Sequence, residues 1–124
     1  MALAVNVMNG AHVSAMSAKA INGNNVNSAV TATGTTITTA ADLVADVCQI
    51  SAGAAGTGVQ LYQGEPGDEQ VVYNSTSTYK VVYPSASTVA INQLAAGSGM
   101  ILAPYTGCMF KTITSTQILG FLSA

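Results

Sequence analysis

Apolar and polar positions alternate in short runs over the second half of the chain. A period of two is typical of strands that bury one face, and a spacing of about ten residues between runs is typical of small all-β domains. The pattern therefore predicts a mainly β fold, a small antiparallel β-sandwich or barrel. The runs are VQLY (59–62), EQVVYN (69–74), YKVVYP (79–84), STVAIN (87–92), GMILA (99–103) and CMFKTIT (108–114).

Turn-forming residues separate these runs. EPGDE (65–69) places Pro66 and Gly67 at the centre of a tight turn, where proline fixes φ and glycine permits a positive φ. AAGSG (95–99) supplies small, flexible residues before the next run. These signals predict hairpins between consecutive strands.

The segment 39–50 has a different pattern. Thr39 is a candidate N-cap, and Asp42 follows it three residues later, as in a capping box. Apolar side chains then recur at helical spacing, at Leu43, Val44, Val47 and Ile50. The sequence predicts one short helix here, ended by the glycine-rich segment 51–58.

Residues 1–34 are rich in Ala, Asn, Val and Ser and have little strict periodicity, and INGNNVN (21–27) is dense in turn formers. We interpret them as an extended N-terminal arm, with weak strands at 4–8 and 27–33 that need partners from a neighbouring subunit. Residues 35–124 are then a single β-rich domain. Polar residues interrupt the apolar stretches of the arm, so we expect neither a signal peptide nor a membrane span.

Charged residues make up only 6% of the 124 residues: three lysines, no arginine and five acidic residues. An average soluble domain has about 25%. A surface of Ser, Thr, Asn, Gln and Gly is readily desolvated when each group finds a hydrogen bond, which suits a permanent oligomer or lattice. The absence of a Lys/Arg cluster argues against nucleic-acid binding.

The candidate nucleophiles and histidine ligands are few. His12 is the single histidine, and Cys48 and Cys108 are the two cysteines. Neither thiol has a neighbouring cation in the sequence that would lower its pKa, so we interpret both as buried free thiols. The sequence predicts no catalytic, cofactor-binding or metal-ligating residue, and we expect a protein that is not an enzyme.

Acidic residues occur in two places. Asp42 and Asp46 are four residues apart on the predicted helix, where we expect a first-turn and a solvent-facing role rather than a carboxylate pair. Glu65, Asp68 and Glu69 surround the Pro-Gly turn and could supply oxygen ligands to calcium, but they lack the spacing of a dedicated calcium loop. We favour a solvated turn in which Asp68 accepts backbone hydrogen bonds.

The chain has five tyrosines, and two interpretations of them remain open. They could form an aromatic sugar-binding face, or Tyr73 and Tyr83 could form a cross-strand pair in the core or an interface, which we favour. The sequon at Asn74 is frequent by chance. The tyrosines are Tyr62, Tyr73, Tyr79, Tyr83 and Tyr105.

Short motifs in the second half resemble a pattern found in tailed-bacteriophage capsid decoration (cement) proteins and related phage head-fibre modules. With the flanking segments, the likeness covers roughly residues 35–124. The chain has Ser85 and Ala86 where family members often carry glycine, and it has no tryptophan. The matching residues are Val59 to Leu61, Pro66 to Asp68, Val72 to Asn74, Val82 to Pro84, Ile91 to Asn92 and Ala95 to Gly97.

The resemblance implies a fold and a function. In the fold, PGD is a strand-entry turn, V-x-N ends a strand before a polar hairpin, and V-Y-P returns antiparallel to that strand. In function, it implies a virion structural protein, made in the bacterial cytoplasm, that binds the outer surface of an icosahedral head as a homotrimer. The expected partners are the major capsid protein and further copies of the chain. The alternative is a head- or tail-fibre domain that binds a host receptor or glycan.

Overall fold

The computed structural model describes residues 26–123, which form ten strands. Six strands form one sheet, in the order β1-β3-β5-β9-β10-β7, and four form a second sheet, in the order β2-β4-β6-β8. The strands are β1 (Val26–Thr31), β2 (Ala41–Asp42), β3 (Val47–Ala52), β4 (Gly58–Gln60), β5 (Glu69–Asn74), β6 (Lys80–Tyr83), β7 (Ala90–Ile91), β8 (Met100–Leu102), β9 (Gly107–Thr114) and β10 (Gln117–Leu122).

Parallel pairing organises the first six strands. β1, β3 and β5 are successive parallel neighbours in the six-stranded sheet, and β2, β4 and β6 are successive parallel neighbours in the four-stranded sheet. Each turn of the chain therefore adds one strand to each sheet. The result is a solenoid-like stack of three turns.

Antiparallel strands complete the stack at its far end. β8 pairs with β6 and β9 pairs with β5, both antiparallel, and β10 then returns antiparallel to β9. The two-residue strand β7 runs parallel to β10 and forms the edge of the larger sheet. β1 forms the opposite edge.

The core lies between the two sheets, where alternate residues of each strand point inward. Val72 in β5, Val59 in β4, Val82 in β6 and Leu102 in β8 are fully buried. Phe110 of β9 supplies the largest apolar side chain in this cluster. Because both sheets contribute to one cluster, neither sheet is stable without the other.

The mainly β prediction is confirmed, but the predicted sandwich or barrel is wrong. A hairpin requires consecutive strands to be neighbours in one sheet, whereas consecutive strands among β1 to β6 alternate between the two sheets. V-Y-P at Val82 to Pro84 therefore does not return antiparallel to β5. It pairs instead with β4 and β8.

The predicted helix at 39–50 is also wrong, because residues 26–123 contain no helix. The segment forms β2, a turn and β3. Leu43 and Ile50 are buried, but Val44 and Val47 are exposed, so the four apolar residues do not share one face. Pairing with β1 and β5 on both sides of β3 outweighs a local preference for helix.

Several local predictions are confirmed. β5 spans the whole EQVVYN run, and the Pro66–Gly67 turn precedes it, with Gly67 at a φ of +98°. The predicted strand at 27–33 is present as β1, but its partner over Val26 to Thr31 is β3 of the same chain, so the prediction that it needs a neighbouring subunit is wrong. The rest of the predicted arm, residues 1–25, lies outside the described residues. Within 26–123, no helix is long and apolar enough to cross a membrane.

Candidate interaction surface

Cys48 and Cys108 lie in one inward-facing row of the larger sheet, with Val72 between them. Two strand spacings separate the two residues by roughly 10 Å, which is too far for a disulfide. Both are free thiols with 2% exposure, as predicted. Burial raises the pKa of Cys48 and raises that of Cys108 to about 11, so both stay protonated and weakly nucleophilic near neutral pH. His12 lies outside the described residues.

Asp42 and Asp46 are not placed as the helix prediction required. Asp42 is exposed in β2, whereas Asp46 lies in the turn before β3 and accepts a 2.5 Å hydrogen bond at Oδ1 from the Tyr62 hydroxyl. Its Oδ2 is buried and has no hydrogen-bond partner. Burial of Tyr62, the bond to Asp46 and the charge on that carboxylate all raise the tyrosine pKa. The pair therefore holds the hydroxyl in its neutral form.

The three acidic residues around the Pro-Gly turn have separate roles. The Asp68 carboxylate accepts a hydrogen bond from the Glu65 backbone N–H at 3.0 Å, which is the turn interaction the sequence predicted. Glu69 instead lies in β5 and forms an ion pair with Lys111 of β9 at 3.2 Å. Within 26–123, no three His, Cys, Asp or Glu side chains are grouped where they could hold a metal ion.

A buried polar network at the C-terminal ends of β5 and β8 was not predicted. The Asn74 amide donates to the carbonyls of Thr78, Leu102 and Ala103 and accepts from the Thr76 N–H and hydroxyl. This side chain is fully buried, so the sequon has no accessible amide. The signal in the sequence was an amide at an inward position of β5, where the strand pattern calls for an apolar residue.

Lys80 belongs to the same network. Its side chain is fully buried, and Nζ donates to both hydroxyls of Thr76 and Thr78 and to the Thr78 carbonyl. Burial lowers the Lys80 pKa. Each bond joins this lysine to the loop that leads into its own strand, so its role is to fix that loop.

The tyrosines do not form the predicted cross-strand pair. Tyr73 lies in β5 on the outer face of the larger sheet, whereas Tyr83 lies in β6 of the other sheet and donates its hydroxyl to the Thr35 carbonyl. Tyr79 and Tyr105 are exposed, the latter by 62%. They occupy the loops that follow β5 and β8, which Asn74 joins through the carbonyls of Thr78 and Ala103.

Five apolar side chains form one row across the outer face of the six-stranded sheet. Successive Cα partners on adjacent strands are Val26, Val47, Val71, Met109 and Phe121. Val47, Val71 and Met109 each adjoin a buried residue in their own strand, so they point away from the core. Val26 and Phe121 share this outer face as the Cα partners of Val47 and Met109. Val26, Val47 and Phe121 are 69%, 42% and 51% exposed. We call this set the outer row.

The two sides of the outer row differ. On the first flank, Gln49 and Tyr73 are Cα partners two residues further along β3 and β5. On the second flank, Glu69 and Lys111 are paired on β5 and β9. One flank is thus uncharged and aromatic, and the other carries the single ion pair among the described side chains of the sheet. The outer row with its two flanks is therefore the candidate interaction surface among the described residues.

A second apolar surface lies at the edge of β10 beyond the end of β7. The Asn92 amide continues the strand pairing there, accepting from the Gly120 N–H at 2.9 Å and donating to the Gly120 carbonyl at 3.3 Å. Past this point, a groove opens that is lined by Leu94, Met100 and Leu122, with amide side chains at its margin and no charged residue in its lining.

A scan of the sequence against models of known protein families found no match, and a search of the curated proteins found none either. The likeness to phage decoration proteins therefore rests on the short motifs of residues 59–97. The outer row is independent of this likeness, because it was identified from strand pairing and burial alone.

Proposed function

We propose that this chain is a virion structural protein that binds the outer surface of an icosahedral phage capsid and stabilises it. The observation that carries the proposal is the outer row, an apolar line across five strands on a protein with very little charge. A free monomer would gain nothing from this surface, whereas a subunit of an assembly buries it. The sequence resemblance indicates that this assembly is a phage capsid.

The composition supports permanent association. Only eight of the 124 residues are acidic or basic, counted as three lysines and five acidic side chains. Of the described lysines, Lys80 is buried and Lys111 is paired with Glu69. Contact with another protein therefore requires little desolvation of charge, which is costly on a surface rich in charged groups. The proposed partners are the major capsid protein and further copies of this chain in a homotrimer.

The proposed mechanism is stabilisation by mass action. A protein that binds the assembled shell, and not its separated subunits, lowers the free energy of the shell by an amount that grows with ligand concentration. No bond is made or broken, so no catalytic group is required. The buried thiols and the neutral Tyr62 hydroxyl are consistent with a structural role.

One observation favours a second candidate, a fibre domain that binds a receptor or glycan. Tyr79 and Tyr105 are exposed in two neighbouring loops, both bonded by Asn74. Exposed aromatic rings are suited to stacking against sugars. The two candidates differ in position on the virion, because a decoration protein covers the shell and a fibre occupies few sites.

The test is co-sedimentation of the purified chain with capsids assembled from the major capsid protein of the phage that encodes it. We expect binding to saturate at a fixed number of copies per capsid and to raise the temperature at which capsids open. Cys48→Ala, Cys108→Ala and His12→Ala should leave binding within a few-fold of wild type. Absence of binding, or binding at a single vertex only, would contradict the proposal.

A further inference from the structure

We infer that the outer row is a self-association surface, at which the stack of one copy lies beside the stack of another with their rows in contact. The inference rests on the proposed function for its biological setting. It starts from the same outer row as that proposal and adds the register of its five strands and the exposure of Val26, Val47 and Phe121.

The direction of the row indicates a second copy as the occupant. The row crosses the strands, so it runs along the stacking axis, with one apolar side chain at each strand spacing of about 4.8 Å. A second copy with a parallel axis presents side chains at the same spacing. Rotation about an axis parallel to the row keeps each residue at its own height, so Val47 of one copy meets Val47 of the next.

The charges also favour self-contact. The row is uncharged, so identical surfaces meet without like-charge repulsion. Under the same rotation, opposite flanks face each other: Gln49 and Tyr73 of one copy lie opposite Glu69 and Lys111 of the next. An ammonium group next to a tyrosine ring is a favourable contact, and Glu69 already balances the Lys111 charge within its own copy.

The size of the surface requires the flanks to take part. The row alone spans about 19 Å by about 7 Å, or roughly 130 Å² of flat area. A standard interface buries about 800 Å² on each partner, so the row by itself is too small. Adding both flanks gives roughly 400 Å² of flat area, about half of that value, and the projecting side chains add accessible surface to it.

The experiment measures molar mass by light scattering for the full chain over a range of concentrations. We expect wild type to be an oligomer that added NaCl does not dissociate, since the row has no charge to screen. Val47→Asp and Phe121→Asp, second from one end of the row and at its other end, should each give monomers with unchanged circular dichroism. Ile101→Asp is the control, because Ile101 is 64% exposed on the outer face of the other sheet, and it should stay oligomeric.

Charge complementation tests the row-to-row contact directly. Val47→Lys should also be monomeric, and mixing it with Val47→Asp should restore the oligomer, because equivalent residues meet across the interface. This readout holds even if one variant loses some stability. A restored oligomer supports the inference, and a mixture that stays monomeric overturns it.

Three other results would overturn it: a monomeric wild type, a Val47→Asp variant that remains oligomeric, or a chain that associates only after residues 1–25 are deleted. The last would mean that the chain's own first residues cover the row. A monomeric wild type that still binds capsids would refute this inference and leave the proposed function intact. An oligomer that forms through the row but fails to bind capsids would support this inference and refute the proposed function.

Discussion

Ile50 and Asn74 are Cα partners on β3 and β5, and both side chains are fully buried in the same inward row. An aliphatic side chain and an amide therefore occupy equivalent positions in consecutive turns of the stack. The amide is needed at the second position because the backbone turns there: Asn74 bonds the carbonyls of Thr78, Leu102 and Ala103. It joins the last parallel turn to the antiparallel strands that follow.

Asn74→Ala should therefore lower the free energy of unfolding by about 2–4 kcal/mol, because buried groups lose their hydrogen-bond partners. Urea denaturation at a fixed protein concentration measures the change. Asn27→Ala is the matched control: Asn27 is exposed, its side chain accepts from the Ala29 N–H, and its loss should cost less than about 0.5 kcal/mol. Equal effects of the two substitutions would contradict the role assigned to Asn74.

The Tyr83 ring lies between Gly58 and Gly99. A methyl group at Gly58 would lie 2.5 Å from Tyr83 Cε2, and one at Gly99 would lie 2.9 Å from Tyr83 Cε1. Gly58→Ala should therefore destabilise the fold by about 1–3 kcal/mol through overpacking. Thermal unfolding should show this loss, whereas Gly107→Ala should be nearly neutral because the closest atom there, in exposed Tyr73, is 3.2 Å away.

A double-mutant cycle tests the cause. If the clash with the ring explains the loss, Gly58→Ala should cost less in a Tyr83→Leu background, since leucine lacks the ring atoms that the methyl group meets. Additive effects of the two substitutions would assign the loss at Gly58 to the backbone instead.

The buried thiols predict a loss of stability at high pH. The Cys108 pKa is raised by burial from 9.0 to about 11, so between these values the unfolded chain releases a proton that the folded chain retains. The stabilisation is complete below pH 9 and is lost as the pH rises through 11. Cys48, also raised, adds in the same direction, and Lys80, whose pKa burial lowers, acts in the opposite one.

Cys108→Ala should therefore reduce the downward slope of unfolding free energy against pH above pH 9 relative to wild type. Both chains keep Cys48 and Lys80, so the difference in slope reports Cys108. Val72→Ala is the control, because it opens a cavity in the same row without removing a thiol, and its slope should match wild type. An unchanged slope for Cys108→Ala would contradict the assignment.

Deletion of residues 1–25 and deletion of residues 1–34 should have different effects on stability. A chain lacking residues 1–25 should keep its β content, because all ten described strands lie in 26–123, whereas one lacking residues 1–34 should lose stability. The second truncation removes β1 and the buried side chains of Val30 and Ala32. Circular dichroism and urea denaturation of the two fragments distinguish these outcomes.

We further expect the 26–124 fragment to bind capsids more weakly than the full chain. If the arm adds as a strand to another chain, main-chain hydrogen bonds carry its affinity, so Val5→Pro should weaken binding more than side-chain changes at 21–25. Co-sedimentation with capsids measures each variant. Binding of the fragment at wild-type strength would show that the arm is dispensable.

Most of the strands after residue 58 could be predicted from the sequence, since burial of one face imposes a period of two on each strand separately. EQVVYN shows this most clearly, with Gln70, Val72 and Asn74 buried and the alternate residues outward. The same reasoning missed β10, whose Gly120 interrupts the alternation, and it interpreted β3 as a helix. In β3, spacing alone does not distinguish the two structures over so short a run.

The sequence by itself determined where most of the strands after residue 58 and the Pro66–Gly67 turn lie and that little charge covers the surface, because each depends on neighbouring residues or on composition. Only the tertiary structure decided which strands pair and in which direction, because pairing depends on contacts between distant segments. The outer row is of this second kind. Val26, Val47, Val71, Met109 and Phe121 come from five separate strands, and they form one surface only because the stack sets those strands in register.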